Sequence, residues 1–139
     1  MEKLYKNYVD FEYDETKKIF HYVYLPETKN MADEEFREFI GVLLLTTDKL
    51  CPEYVINDDR KRLYAYDPDM QEWASRECVM SWGTVGVKKY VQIMAEEFIA
   101  KLSAEQVADI VKAKYIDSFE DFQIRFIESY EEAIQWVNE

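Results

Sequence analysis

Tyr54-Val55-Ile56-Asn57-Asp58-Asp59-Arg60-Lys61-Arg62-Leu63-Tyr64-Ala65-Tyr66-Asp67-Pro68 is the stretch on which the fold turns. Tyr54 to Asn57 is a short apolar run without polar alternation, which suits a strand buried on both faces near the centre of a parallel sheet. Asp67 followed by Pro68 reads as a helix cap and first helical position, where proline's missing N–H costs no hydrogen bond. Between them lie an acidic pair and a basic, tyrosine-bearing connection. In open α/β sheets, ligands and partners meet the chain where strands end and helices begin. The candidate site is therefore Asp58, Asp59, Arg60, Arg62, Tyr64 and Tyr66, with Trp73 in the following helix and Trp82 in the segment after it.

Upstream, Val9, Phe11 and Tyr13 alternate with polar residues from about Tyr5 to Tyr13, the pattern of a half-buried strand. A polar turn at 14–17 leads to a second strand, Lys18 to Leu25, and the two form an antiparallel hairpin. Its alternation predicts Ile19, His21, Val23 and Leu25 on the inner face. Asn30 is read as the cap of a helix that carries Asp33, Glu34 and Glu35 in its first turn and an apolar stripe from Phe36 to Leu50.

Downstream, Met70, Trp73, Ala74 and Cys78 mark the buried side of the helix opening at Asp67. Ser81 to Gly86 reads as a loop. It is not a phosphate-binding loop, because no Gly-Lys-Ser/Thr follows. Val87 to Met94 is the next strand, and Ser103 with Gln106 predicts a capping box opening a helix to about Tyr115. Phe122 to Ile127 reads as a half-exposed edge strand, and Ser129 with Glu132 caps a closing helix. The expected architecture is α/β: a mostly parallel five-stranded sheet with an N-terminal antiparallel hairpin and about four helices, in one domain over residues 1–139.

With 17 Lys and Arg against 29 Asp and Glu, the net charge is −12. That argues against nucleic-acid phosphates and anionic lipid as partners, because binding them needs clustered cations. No apolar run has a membrane-spanning length, and the N-terminus lacks a signal-peptide layout, so a cytoplasmic location is expected. Cys51 and Cys78 are too far apart for a zinc or redox motif, and both are expected to be reduced and packed as small apolar side chains. His21 is the single histidine, which excludes a multi-histidine metal site within one chain. No cofactor is implied. Eleven tyrosines favour a binding surface or a homodimer without locating either.

The order of segments resembles the SpoIIAA-like fold of STAS and Sec14-type domains, and in particular a bacterial domain family of unknown function labelled STAS/SEC14-like. The residues that carry the resemblance are Met31-Ala32-Asp33-Glu34-Glu35-Phe36-Arg37, Pro52-Glu53-Tyr54-Val55-Ile56-Asn57-Asp58, Gln71-Glu72-Trp73, Glu97-Phe98-Ile99, Leu102-Ser103-Ala104-Glu105-Gln106 and Tyr130-Glu131-Glu132-Ala133-Ile134-Gln135-Trp136. The resemblance implies a regulatory protein-interaction or small-ligand module rather than a catalyst. STAS-type antagonists carry a phosphorylatable serine in the turn after a central strand. Here Asn57 to Pro68 contains no serine, threonine or glycine, so that switch does not carry over.

Three functions compete. The first is a non-enzymatic interaction module whose contact surface is the Asp58–Tyr66 connection, rich in the arginine and tyrosine that dominate binding hot spots. The second is a small-molecule or lipid-binding module with Tyr54, Tyr64, Trp73 and Trp82 around a pocket near that connection. The third is an enzyme in which Asp58 and Asp59 hold a divalent cation.

Overall fold

The computed structural model describes residues 2–139, with side-chain surroundings from Tyr5 onward. The described residues form β1 (Glu2–Tyr5), β2 (Val9–Asp14), β3 (Ile19–Tyr24), a 3-10 turn (Pro26–Asn30), α1 (Asp33–Leu50), β4 (Tyr54–Asp58), α2 (Pro68–Val85), β5 (Lys89–Ile93), α3 (Phe98–Lys114), β6 (Gln123–Ile127) and α4 (Tyr130–Val137). The strands lie side by side in chain order, β1 to β6. β1, β2 and β3 are antiparallel neighbours, while β3 to β6 run parallel. The five expected strands all form, and Glu2–Tyr5 adds a sixth at the hairpin's outer edge.

Sequential order has a consequence for the layers. A right-handed crossover that always advances one strand in the same direction deposits every helix on the same face. α1, α2 and α3 accordingly share one core with Phe11, Phe20, Tyr22, Val55, Tyr90 and Ile124 of the sheet. α4 follows the last strand and packs alone on the other face, where Ala133, Trp136 and Val137 meet Ile56, Val91 and Ile93. Strands β4 and β5 are thus covered on both sides, which explains the apolar run at Tyr54–Ile56. Among the described residues no helix is long and apolar enough to cross a membrane.

Several local expectations give way. In β3 it is Phe20, Tyr22 and Tyr24 that enter the large core, while Ile19, His21 and Val23 are half-buried on the α4 face. The hairpin register sets this by pairing Phe11 with Tyr22; both faces of the strand are apolar, so alternation alone cannot choose between them. Ser81–Gly86 is not a loop: α2 continues through it to Val85. Gly83 lets Phe119 lie against the helix, where a Cβ would run into its ring. Gly86 takes the left-handed conformation that ends the helix, φ 94°.

α3 begins at Phe98, capped by the Glu97 carboxylate accepting from the Ile99 and Ala100 N–H groups, so Ser103 is a buried mid-helix residue rather than a cap. Likewise Glu35 reaches back to the Ala32 N–H (3.0 Å) to close α1, and Asn30 ends the 3-10 turn instead. Both cysteines are free, but Cys51 is exposed, not packed, and forms the left-handed cap of α1. Ser129 does cap α4, accepting from the Glu132 N–H at 3.2 Å.

Candidate functional site

Residues 58–66 leave the centre of the sheet, and strand alternation divides them between its two faces. Asp58 ends β4 on the α4 side. Arg60 folds back onto it, donating Nε to Oδ1 (3.0 Å) and Nη2 to Oδ2 (2.7 Å), with its guanidinium 4.6 Å from the centre of the Tyr130 ring. Asp59 turns to the opposite side, beneath α1–α3, and meets Arg62, whose Nε donates to Oδ2 at 2.8 Å. The Arg62 side chain is 0 % exposed and that of Asp59 1 %. The guanidinium also donates to the carbonyls of Tyr64 and Ala100 and to Ser103 Oγ, and lies 4.8 Å from the Tyr66 ring centre. Arg62 therefore ties the connection to α3, and its side chain is not presented to a partner in this conformation.

Asp58 and Asp59 are each committed to an arginine on different faces, so the two carboxylates do not converge on a single cation. Among the described residues no group of three or more metal-ligating side chains forms. Burial pushes the Asp59 carboxyl up to about 6 against the opposing pull of Arg62 and Gln92. The Arg62 guanidinium, despite its own burial, is held firmly protonated by Asp59.

The tyrosines of the connection form the wall between it and α1. Tyr64 is buried, donates to Asp33 Oδ1 and stacks on Phe36 at 5.1 Å, with Tyr66 parallel to it at 5.8 Å. Trp73 is half-buried beneath the Arg37 guanidinium (4.9 Å), away from this centre. Trp82 is fully buried, donates its indole N–H to Thr47 Oγ1 (3.1 Å) and packs on Tyr90 at 4.8 Å. Tyr54 belongs to the α4-side cluster.

Tyr66 and Trp82 line a cavity of about 50 Å³ between the sheet and α1–α3, whereas Asp58, Arg60, Tyr64 and Trp73 do not. Its polar lining comes from residues the sequence reading did not single out: Asn57, Gln92, Ser75 and the tyrosines Tyr22, Tyr24 and Tyr90. A signal for two of them was present. Asn57 and Gln92 interrupt otherwise apolar strands, and they sit directly opposite each other in the β4–β5 register. A polar residue on a doubly covered strand must find a partner inside the protein.

Asn57 Nδ2 donates to Tyr90 Oη (2.9 Å), the Tyr90 hydroxyl donates to Gln92 Oε1 (3.2 Å), and Gln92 Nε2 donates to Asp59 Oδ2 (2.9 Å). Burial also pushes the nearby Cys78 thiol up to about 12, which keeps it protonated and a poor nucleophile. On the opposite face, His21 is packed 6.2 Å from Tyr130 with Nε2 lacking a partner among the described residues, and burial lowers its proton affinity.

α3 opens with a cluster of exposed large apolar side chains: Phe98 is 73 % exposed, Ile99 54 % and Leu102 44 %, whereas the similarly exposed Leu45 (63 %) stands on α1. Glu96, Glu97, Glu105 and Asp109 are exposed around them. No family model, curated protein or solved structure matches this chain.

Proposed function

We propose that this chain is a non-enzymatic protein-interaction module of the SpoIIAA-like, STAS-like kind, and that its contact surface is the start of α3. The β3–β6 succession in chain order, with three crossover helices on one face, supports the fold assignment. The non-enzymatic part rests on the neutralised carboxylates: each acid of the Asp58–Asp59 pair is occupied by an arginine.

The observation that carries the interaction reading is the apolar patch at Phe98, Ile99 and Leu102. A single exposed apolar residue needs no explanation, but three large ones at i, i+1 and i+4 of a helix form a contiguous water-facing patch of the sort that marks interaction sites. Glu105 and Asp109 lie seven residues beyond Phe98 and Leu102, which puts them two turns further along the same helix face. Glu96 and Glu97 border the patch at its other end. An apolar centre with an acidic rim on a chain of net charge −12 fits a basic amphipathic segment, its apolar stripe on the patch and its Lys or Arg over the rim. A second copy of the chain would bring acid against acid, and an anionic bilayer would be repelled.

A synthetic Leu/Lys amphipathic helix tests this by titration calorimetry against the full chain. Saturable binding that weakens with added salt is expected. Phe98→Ser with Leu102→Ser should abolish it while leaving the melting temperature within the small range of surface substitutions. Absence of binding to the natural chain, or equal binding by the double variant, refutes the reading. A salt-insensitive self-association that the double variant removes would assign the patch to a homodimer instead.

A further inference from the structure

We infer that α4 is a pH-released cover: protonation of His21 lifts its Tyr130 end and uncovers the apolar face of β4 and β5. The device lies on the side of the sheet away from the α3 patch and works without it. α4 is eight residues long and packs alone on its side, where Ala133, Trp136 and Val137 meet Ile56, Val91 and Ile93. A helix of that length has little stability of its own, so it is held by what it touches. Basic side chains hold both ends. At the far end Lys89 Nζ donates to the Trp136 carbonyl (2.8 Å), and the Arg125 guanidinium lies 4.8 Å from the Trp136 ring centre. At the near end the Arg60 guanidinium lies 4.6 Å, and the His21 ring 6.2 Å, from the Tyr130 ring centre. Of these four side chains, histidine is the type whose charge ordinarily changes between pH 5 and 8.

The docked geometry suits only the neutral ring. Neutral imidazole can leave one nitrogen bare, whereas imidazolium must donate from both. Nε2 is buried and has no partner among the described residues. A buried charged donor without an acceptor costs far more than a bare neutral nitrogen. Protonation would also set a second cation against the Tyr130 ring, beside Arg60. Burial holds the docked ring's proton affinity below its ordinary value of 6.5. Asp58, at the end of β4, and Glu12, opposite His21 in the β2–β3 register, favour the proton, and Arg60 opposes it. A cleft of about 170 Å³ adjoins the ring, with Glu12, Asp14 and Lys17 on the hairpin side and Ile134 and Asn138 on the helix side. Raising Tyr130 joins Nε2 to this cleft and lets water accept from it. The proton therefore favours the released helix. Docking is at full strength above about pH 6.5 and weakens as pH falls, by at most about tenfold per unit, until the docked ring takes up the proton itself.

Amide hydrogen exchange in the full ¹⁵N-labelled chain, followed by NMR from pH 7.5 to 5, reads the release directly. Protection is corrected for the intrinsic pH dependence of exchange, and the His21 ring is titrated in the same sample. Protection of the α4 amides from Ile134 to Val137 should fall with pH, about tenfold for each unit by which the His21 titration lies below 6.5. The amides of α1, on the other face, should keep theirs. His21→Phe keeps a flat ring against Tyr130 without the titration, and His21→Gln keeps a neutral polar group. In both, α4 protection should not change with pH. Three results overturn the proposal. Constant α4 protection in the natural chain would mean that the ring is protonated without moving the helix. The same fall in both variants would assign the response to Glu12 and Asp58. An equal fall in α1 would mean that acid loosens the whole fold rather than α4. None of these results bears on peptide binding at Phe98 and Leu102, so the two readings fail separately.

Discussion

Asp58–Arg60 and Asp59–Arg62 are neighbouring acid–base pairs built from almost the same words of sequence, yet they do different physical work. The first lies on the α4 face with the Arg60 side chain 38 % exposed and that of Asp58 3 %. The second lies on the α1–α3 face with both partners essentially sealed from water. One residue of strand alternation separates them. In the first pair water reaches the guanidinium but not the carboxylate, so Arg60 keeps part of its hydration and its attraction to Asp58 is partly screened. A sealed pair has already lost the hydration of both ions, so each partner depends on the other. An aspartate followed two or three residues later by an arginine therefore gives a half-open pair on one face and the structural tie of the central network on the other.

The largest expected effect breaks this contrast at Arg62. Arg62→Ala leaves the Asp59 carboxylate buried without its cation and removes the donors to the Tyr64 and Ala100 carbonyls. Loss of one member of a buried pair costs about 3–5 kcal/mol, and urea unfolding should show a loss of that size. A change under about 1 kcal/mol, the scale of ordinary surface substitutions, would mean that the connection opens to water and that Arg62 is available to a partner after all.

Acidity sharpens the contrast next. The Asp59 carboxyl sits near 6 in the folded chain against an ordinary value of 3.8, with burial as the main cause. Between those values the folded chain holds a proton that the unfolded chain has released, so Asp59's contribution is fully present below about pH 4 and is lost as pH rises through about 6. Glu35, Glu72 and Glu97 run the other way, since their partners hold them below the usual carboxylate range and their contributions fade as pH falls. The measurement is therefore a difference. Stability of the natural chain minus that of Asp59→Asn, followed from pH 4 to 7, should decline by an amount on the order of 3 kcal/mol. A flat difference would show that Arg62 and Gln92 offset the desolvation of Asp59 in full.

How far the sequence could foresee this divides along the same line. Element order was legible because it depends on periodicity and on end signals such as Asp67-Pro68, which need no knowledge of neighbours. The face that each residue takes was not. In β3, both Ile19-x-His21-x-Val23 and Phe20-x-Tyr22-x-Tyr24 are apolar enough to be core, and only pairing with Phe11 chooses. Ser81–Gly86 looks like a loop through its two glycines, yet Gly83 serves a close contact with Phe119 that no local rule reveals. The candidate residues from Asp58 to Tyr66 were found together because they adjoin in sequence, whereas the cavity's polar wall collects Asn57, Ser75 and Gln92 from three separate elements. The opposed polar positions in β4 and β5 were the visible clue, readable only once their register is known.

The smallest expected effect lies on the exposed side of the comparison. Arg60→Ala removes a bidentate contact to Asp58 and the guanidinium resting on Tyr130. The Arg60 side chain is 38 % exposed, so its truncation should open the buried Asp58 carboxylate to water, and Asp58 still accepts from the residue-60 backbone N–H at 3.1 Å. The expected cost in urea unfolding is about 1 kcal/mol or less, shrinking in high salt as screening weakens the natural pair. A loss matching that of Arg62→Ala would show that Asp58, buried like Asp59, stays closed to water even without Arg60. It would mean that α4 seals its face of the sheet as tightly as the three crossover helices seal the other.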